Sequence, residues 1–187
     1  YMPEIPAQKD TREYIARAMA ALKGHFILTG HSKGGNLSVF GGMSVPKKSL
    51  ARLDAVYNFD GPGFFAPVYE RPEYKQIKDR IFAFFPEFCV VGMMFEHVNQ
   101  YKIVKCSADG ILQHDPFSWN LMGPEFEAAE AFDEASEMYI GEKDWTQFDP
   151  ETIHELRKTD DMLSTYNEKC GRVAMQISMA PYVSQDV

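Results

Sequence analysis

The stretch His25–Met43, HFILTGHSKGGNLSVFGGM, constrains this chain more than any other. A short apolar run passes into a glycine-rich, helix-like segment through Gly30-His31-Ser32-Lys33-Gly34. A turn from strand to helix within so few residues forces the central residue into a strained backbone conformation. Side chains at positions 30 and 34 are expected to collide with neighbouring backbone, which accounts for Gly30 and Gly34. The turn lifts the Ser32 hydroxyl above the C-terminal edge of a sheet. It also sets that hydroxyl at a helix N-terminus, where backbone N–H groups and the dipole favour negative charge. The pattern is G-x-S-x-G, the elbow that presents a nucleophilic serine. A phosphate-cradling loop needs another spacing and a terminal Lys-Ser/Thr, and a dinucleotide loop needs G-x-G-x-x-G.

The rest of the chain supplies a sheet for such an elbow. HFILTG, LDAVYNF, IFAFF and YKIVKC read as four short strands. DTREYIARAMAALKG reads as a helix with Asp10 as N-cap, Glu13 in capping-box position and Gly24 at its end. RPEYKQIKDR is a short helix with Pro72 in its first turn. FCVVGMMFEHV is a short helix or a covering segment; its Phe88–Phe95 part either packs in the core or roofs an acyl pocket. PEFEAAEAFDEASEMYI and DPETIHELRKTDDMLSTYNEK read as amphipathic helices. Strands alternating with helices predict an α/β fold with a mostly parallel sheet and flanking helices. The expected organisation is a core over residues 1–122 and a helical extension of the same domain over residues 123–187.

Composition narrows the partners. The 187 residues are 45% hydrophobic, which suits one domain. A formal net charge of -8 argues against a nucleic-acid backbone or an anionic membrane as partner. No apolar run is long enough to span a bilayer. The three cysteines, Cys89, Cys106 and Cys170, form neither a metal-type spacing nor a disulfide framework. The expectation is a cytoplasmic protein with reduced thiols and no metal or organic cofactor.

A serine nucleophile needs a base. His25 begins the strand leading to the elbow, at its far end, and His154 lies in the tail. His31 adjoins Ser32, so its side chain is expected to point elsewhere. His114, in a glycine-containing loop after the fourth strand, is the expected base, with His97 as the alternative. The serine-acid-histidine order agrees with the α/β-hydrolase arrangement. An acid must orient the histidine and stabilise its charged form. Asp60 ends the second strand and Glu87 ends the third, so both lie on the rim that carries Ser32; Asp60 is placed first and Glu87 second. Asp115 adjoins His114 and is too local to orient it easily. The N–H of Lys33 is the expected oxyanion-hole donor.

GHSKGGNLSVF, FDGPGF, VVGMMFEH and GILQHDPFSW together resemble a bacterial Mbeg-like family of α/β-hydrolases, distant relatives of the class 3 (fungal-type) lipases. The resemblance covers roughly residues 1–120. It implies an α/β-hydrolase fold, Ser32 as nucleophile and His114 at the catalytic-histidine position. The lipases place the acid nearer Glu87, whereas the motif favours Asp60. They also carry an apolar residue where this chain has Lys33. By this resemblance the chain corresponds to the C-terminal half of a hydrolase domain, lacking the N-terminal strands. A missing N-terminal segment, a partner chain or a second copy is then expected to cover the exposed sheet edge. The expected activity is hydrolysis of a small or lipid-like acyl ester or thioester through an acyl-enzyme. The alternative is an inactive binding or interaction module on the same fold.

Overall fold

A computed structural model describes residues 5–96 and 100–133. The chain divides into two compact units, Tyr1–Glu142 and Lys143–Val187, and all described residues belong to the first. The expected helices beyond residue 133, and His97, His154 and Cys170 with them, lie outside the described residues.

The four apolar runs form one parallel sheet in sequential order: β1 (Phe26–His31), β2 (Leu53–Phe59), β3 (Ile81–Pro86) and β4 (Tyr101–Val104). The protein is thus α/β. Parallel neighbours need crossovers, and these carry α2 (Lys33–Met43) between β1 and β2, and the short helices α3 (Ala66–Tyr69) and α4 (Pro72–Lys75) between β2 and β3. The amphipathic segment before β1 forms α1 (Pro6–Ala21). It starts earlier than its capping pattern predicts. Pro6 takes the first turn, where its missing N–H costs nothing, and Gln8 Oε1 accepts from Ile5 N–H at 3.3 Å, so Asp10 lies inside the helix.

One face of the sheet builds the main core. Val39 and Met43 of α2 pack with Leu53 and Val56 of β2, with Ile77, and with Ile15 of α1. Alternation along the strands sends the other set of side chains to the opposite face. There Tyr57, Phe59, Phe82 and Phe84 stack at centroid spacings of 5.3–6.5 Å. Ile27 is 60% and Phe82 45% exposed on the strands.

The predicted helix over PEFEAAEAF is not formed in its described part. Glu125–Phe126 is a strand, β6, paired antiparallel with β5 (Leu121–Met122). The chain then runs antiparallel along β4: Lys105 N–H donates to the Glu127 carbonyl at 2.9 Å and Ala129 N–H to the Ile103 carbonyl at 2.9 Å. An open strand edge offers a row of unpaired backbone groups, and satisfying them outweighs the modest helical preference of Glu and Ala. Phe126 also meets Phe59, Phe84 and Trp119, a contact a local helical pattern cannot anticipate. Residues 88–96 form no helix either; they cover the C-terminal end of β3 as a loop.

Candidate active site

In a parallel sheet the loops after the strands share one rim, and here Ser32 follows β1, Asp60 follows β2 and His114 lies beyond β4. Ser32 and Asp60 are each the first residue past a strand. Each keeps its N–H in the sheet: Ser32 N–H donates to the Phe59 carbonyl and Asp60 N–H to the Phe84 carbonyl, both at 2.9 Å. Each has a positive φ, 56° for Ser32 and 49° for Asp60. An aspartate tolerates the left-handed region better than most residues. Ser32, with ψ at -128°, does not sit in that small well, and such strain costs on the order of 1–3 kcal/mol.

Two glycines make the turn feasible, and one differs from expectation. A Cβ at Gly30 would lie 2.0 Å from the Gly34 carbonyl oxygen, so no other residue fits there. A Cβ at Gly34 would meet nothing within 4 Å. The second obligatory glycine is Gly35, whose Cβ would lie 2.1 Å from Asn58 Oδ1. Buried Asn58 accepts from Gly61 N–H at 2.9 Å and so shapes the turn after β2, and Gly35 lets that side chain approach the start of α2. The doubled glycine in the sequence carried that signal; the motif alone directs attention to Gly34.

Asp60 is 1% exposed, and its carboxylate is held by three groups. Oδ2 faces His114 Nδ1 at 2.5 Å. Oδ1 accepts from Gly92 N–H at 3.0 Å and from the Cys89 thiol at 2.9 Å. Burial is the main reason the Cys89 thiol is pushed far above its ordinary range, with the Asp60 charge adding to it, so it stays S–H and donates. The approach of Gly92 is possible only without a side chain, since a Cβ there would sit 2.3 Å from Asp60 Oδ1. The loop 88–96 therefore packs against the acid, with Met93 against the Ala83, Phe85 and Cys89 cluster. Sequence reasoning passed over Cys89 and Gly92, because the apolar texture of that loop says nothing about a polar contact. Glu87 lies on the same rim, but the carboxylate at His114 Nδ1 is that of Asp60. The backbone carbonyl of Glu87 accepts from Asp133 N–H at 2.8 Å.

The motif QHDPFSW builds the histidine's seat. Buried Gln113 accepts from Phe88 N–H at 2.8 Å through its side chain, and from the Trp119 indole N–H at 2.8 Å through its carbonyl. Asp115 Oδ1 accepts from Phe117 N–H at 3.0 Å, and Pro116 starts the following single turn. Asp115 thus shapes the loop. His114, 23% exposed at its side chain, lends its own carbonyl to His31 Nε2 at 2.7 Å. A carbonyl can only accept, so Nε2 of His31 carries the hydrogen. The two imidazole rings lie 4.5 Å apart. Burial, chiefly, and the neighbouring His114 lower the pKa of His31 below its ordinary value, which favours its neutral form. His31 therefore ties the residue just before Ser32 to the loop that carries His114. His25 sits at the other end of β1, paired with Asp54 at 2.7 Å.

An Nδ1–H held by a buried carboxylate leaves His114 Nε2 as an acceptor. Ser32 is half-buried, and the first-turn N–H of Lys33 lacks an intrahelical acceptor, as at every helix start. Among the described residues Ser32 Oγ makes no hydrogen bond to His114. No group of three or more His, Cys, Asp or Glu is placed to hold a metal among them. No described helix is long and apolar enough to cross a membrane.

Comparison with curated proteins gives no match. A protein-family model, Mbeg1-like, matches residues 1–162, a span that contains the whole sheet, the Ser32 turn and the QHDPFSW loop. The chain belongs to the Mbeg1-like family.

Proposed function

We propose that this protein is a serine hydrolase of the lipase/esterase type on an α/β-hydrolase-like fold. Ser32 Oγ attacks an acyl carbonyl carbon, and His114 Nε2 takes its proton. Asp60 holds the imidazole and stabilises the imidazolium that forms. Lys33 N–H, at the positive end of α2, faces the oxyanion. His114 then protonates the leaving alcohol or thiol. Water, deprotonated by the same nitrogen, releases the acid from the acyl-serine. The observation that carries this reading is the double tether of His114, by Nδ1 to buried Asp60 and by its carbonyl to His31, the neighbour of Ser32. The Ser32–His114 contact closes when substrate binds, as catalytic hydrogen bonds often do.

The open Ser32–His114 contact equally favours a second reading, an inactive binding module that keeps the fold. Intact mass after treatment with a fluorophosphonate separates the two. The hydrolase reading expects one adduct on the chain and none on Ser32→Ala. A chain that is folded yet unlabelled supports the binding module.

A further inference from the structure

A groove of about 1240 Å³ runs beside α2, outside the Ser-His-Asp cluster. Its floor is one stripe of that helix, Leu37, Phe40 and Ser44, and its walls include Phe64, Val68 and Ile77. From Lys33 to Ser44 the helix advances roughly 16 Å, enough for an acyl chain of medium length. The end nearest the elbow is formed by Lys33, directly after Ser32, and by Pro62 and Gly63, just beyond Asp60. Asn36 Nδ2 fastens those two walls together, donating to the carbonyls of Pro62 and Gly63 at 3.0 Å each.

The charge of the groove runs against that of the chain. Lys33, Lys47, Arg12 and Arg71 line it against one carboxylate, Glu73, although the chain has 27 acidic and 19 basic residues. One lip is also unusual. Phe95 has a φ of 66°, rare for a bulky residue. The bonds flanking it hold that conformation: Gly63 N–H to the Met94 carbonyl at 2.9 Å and Glu96 N–H to the Phe64 carbonyl at 3.1 Å. The result is an exposed aromatic pair at the mouth, Phe65 and Phe95, with centroids 4.8 Å apart.

We propose that this groove binds a single-chain acyl ester with an anionic phosphate headgroup. The chain lies along Leu37 and Phe40, and the phosphate lies beside Lys33, at the end nearest the elbow. As an assignment of substrate, this rests on the hydrolase reading; as a binding site, it does not. Apolar lining with few polar groups is what ligand sites generally show, and the excess of cations selects the headgroup.

The test uses dodecyl phosphate and neutral dodecyl glucoside, each below its micelle concentration, titrated calorimetrically into Ser32→Ala. Dodecyl phosphate is expected to bind more tightly. Lys33→Gln should weaken it by about two- to fivefold, the effect of one exposed ion pair, and leave the glucoside unchanged. Leu37→Trp, which narrows the groove, should weaken both. In turnover, lauroyl glycerol phosphate should be preferred to lauroyl glycerol. Equal binding of the two amphiphiles overturns the headgroup assignment, and preference for an acyl thioester overturns the ester. A chain that takes the fluorophosphonate yet binds neither amphiphile overturns the groove and leaves the hydrolase reading standing. Binding without labelling removes the hydrolase reading and the substrate assignment with it, and retains the binding site.

Discussion

Ser32 and Asp60 occupy equivalent places at adjacent strand ends, yet their backbone strain has different consequences. The strain at Ser32 aims a hydroxyl; at Asp60 it turns a carboxylate inward, where Gly92, Cys89 and His114 share it. Gly92→Ala is expected to destabilise the fold by about 1–3 kcal/mol, the usual cost of overpacking, in chemical denaturation. His31 adds a pH dependence. Its native pKa lies below the ordinary 6.5, so the unfolded chain binds the extra proton first. The stability from neutral His31 is fully present above pH 6.5 and is lost as pH falls through the lowered native value. Thermal melts between about pH 5 and pH 8 should show this acid-side decline, and His31→Gln, which keeps a donor for the His114 carbonyl, should flatten it. His114, Asp60 and Asp115 face the His31 ring, and an unchanged slope in the variant would contradict the assignment of the decline to His31.

At the scale of elements, one arginine closes an end that helical periodicity leaves open. Arg52 reaches back from the turn before β2 and donates to the carbonyls of Met19, Leu22 and Gly24 at 2.5–2.8 Å. Met19 lies in the last turn of α1 and Leu22 is its C-cap, where carbonyls lack intrahelical partners, and Gly24 follows just beyond. Its guanidinium also lies 4.9 Å from the Phe26 ring centroid. Arg52→Met keeps the aliphatic stem and removes the bonds. The expected loss is about 1–3 kcal/mol, read as a fall of several degrees in Tm, and an unchanged Tm would contradict it. The segment 125–129 teaches a related lesson. Its sequence has a helical pattern, but β4 needed an edge partner and the chain supplied one.

For the molecule as a whole, the two sides of the sheet differ. β4 is lined by residues 127–129, whereas β1 pairs only with β2 among the described residues. Ile27 of that edge strand and Phe82 of the same sheet present apolar surface. Light scattering of this chain is expected to show association that grows with concentration. Ile27→Lys, a charge on the edge strand, should reduce it. A monodisperse monomer throughout would contradict that expectation.

The local chain was sufficient for four strands, the turn at Ser32 and the rim on which Asp60, Glu87 and His114 fall. These follow from apolar period, glycine placement and the order of elements, which act over a few residues. The tertiary structure decided what depends on distance between segments. It set Asp60 rather than Glu87 against His114, because β2 lies beside β1 and the loop after β3 encloses the Asp60 carboxylate. It made Gly35 the crowded glycine through Asn58, twenty-three residues away in sequence. It turned His31 from a bystander into the tether of the His114 loop. Each of these is a contact between residues remote in the chain, and a one-dimensional pattern carries no information about which remote residues will touch.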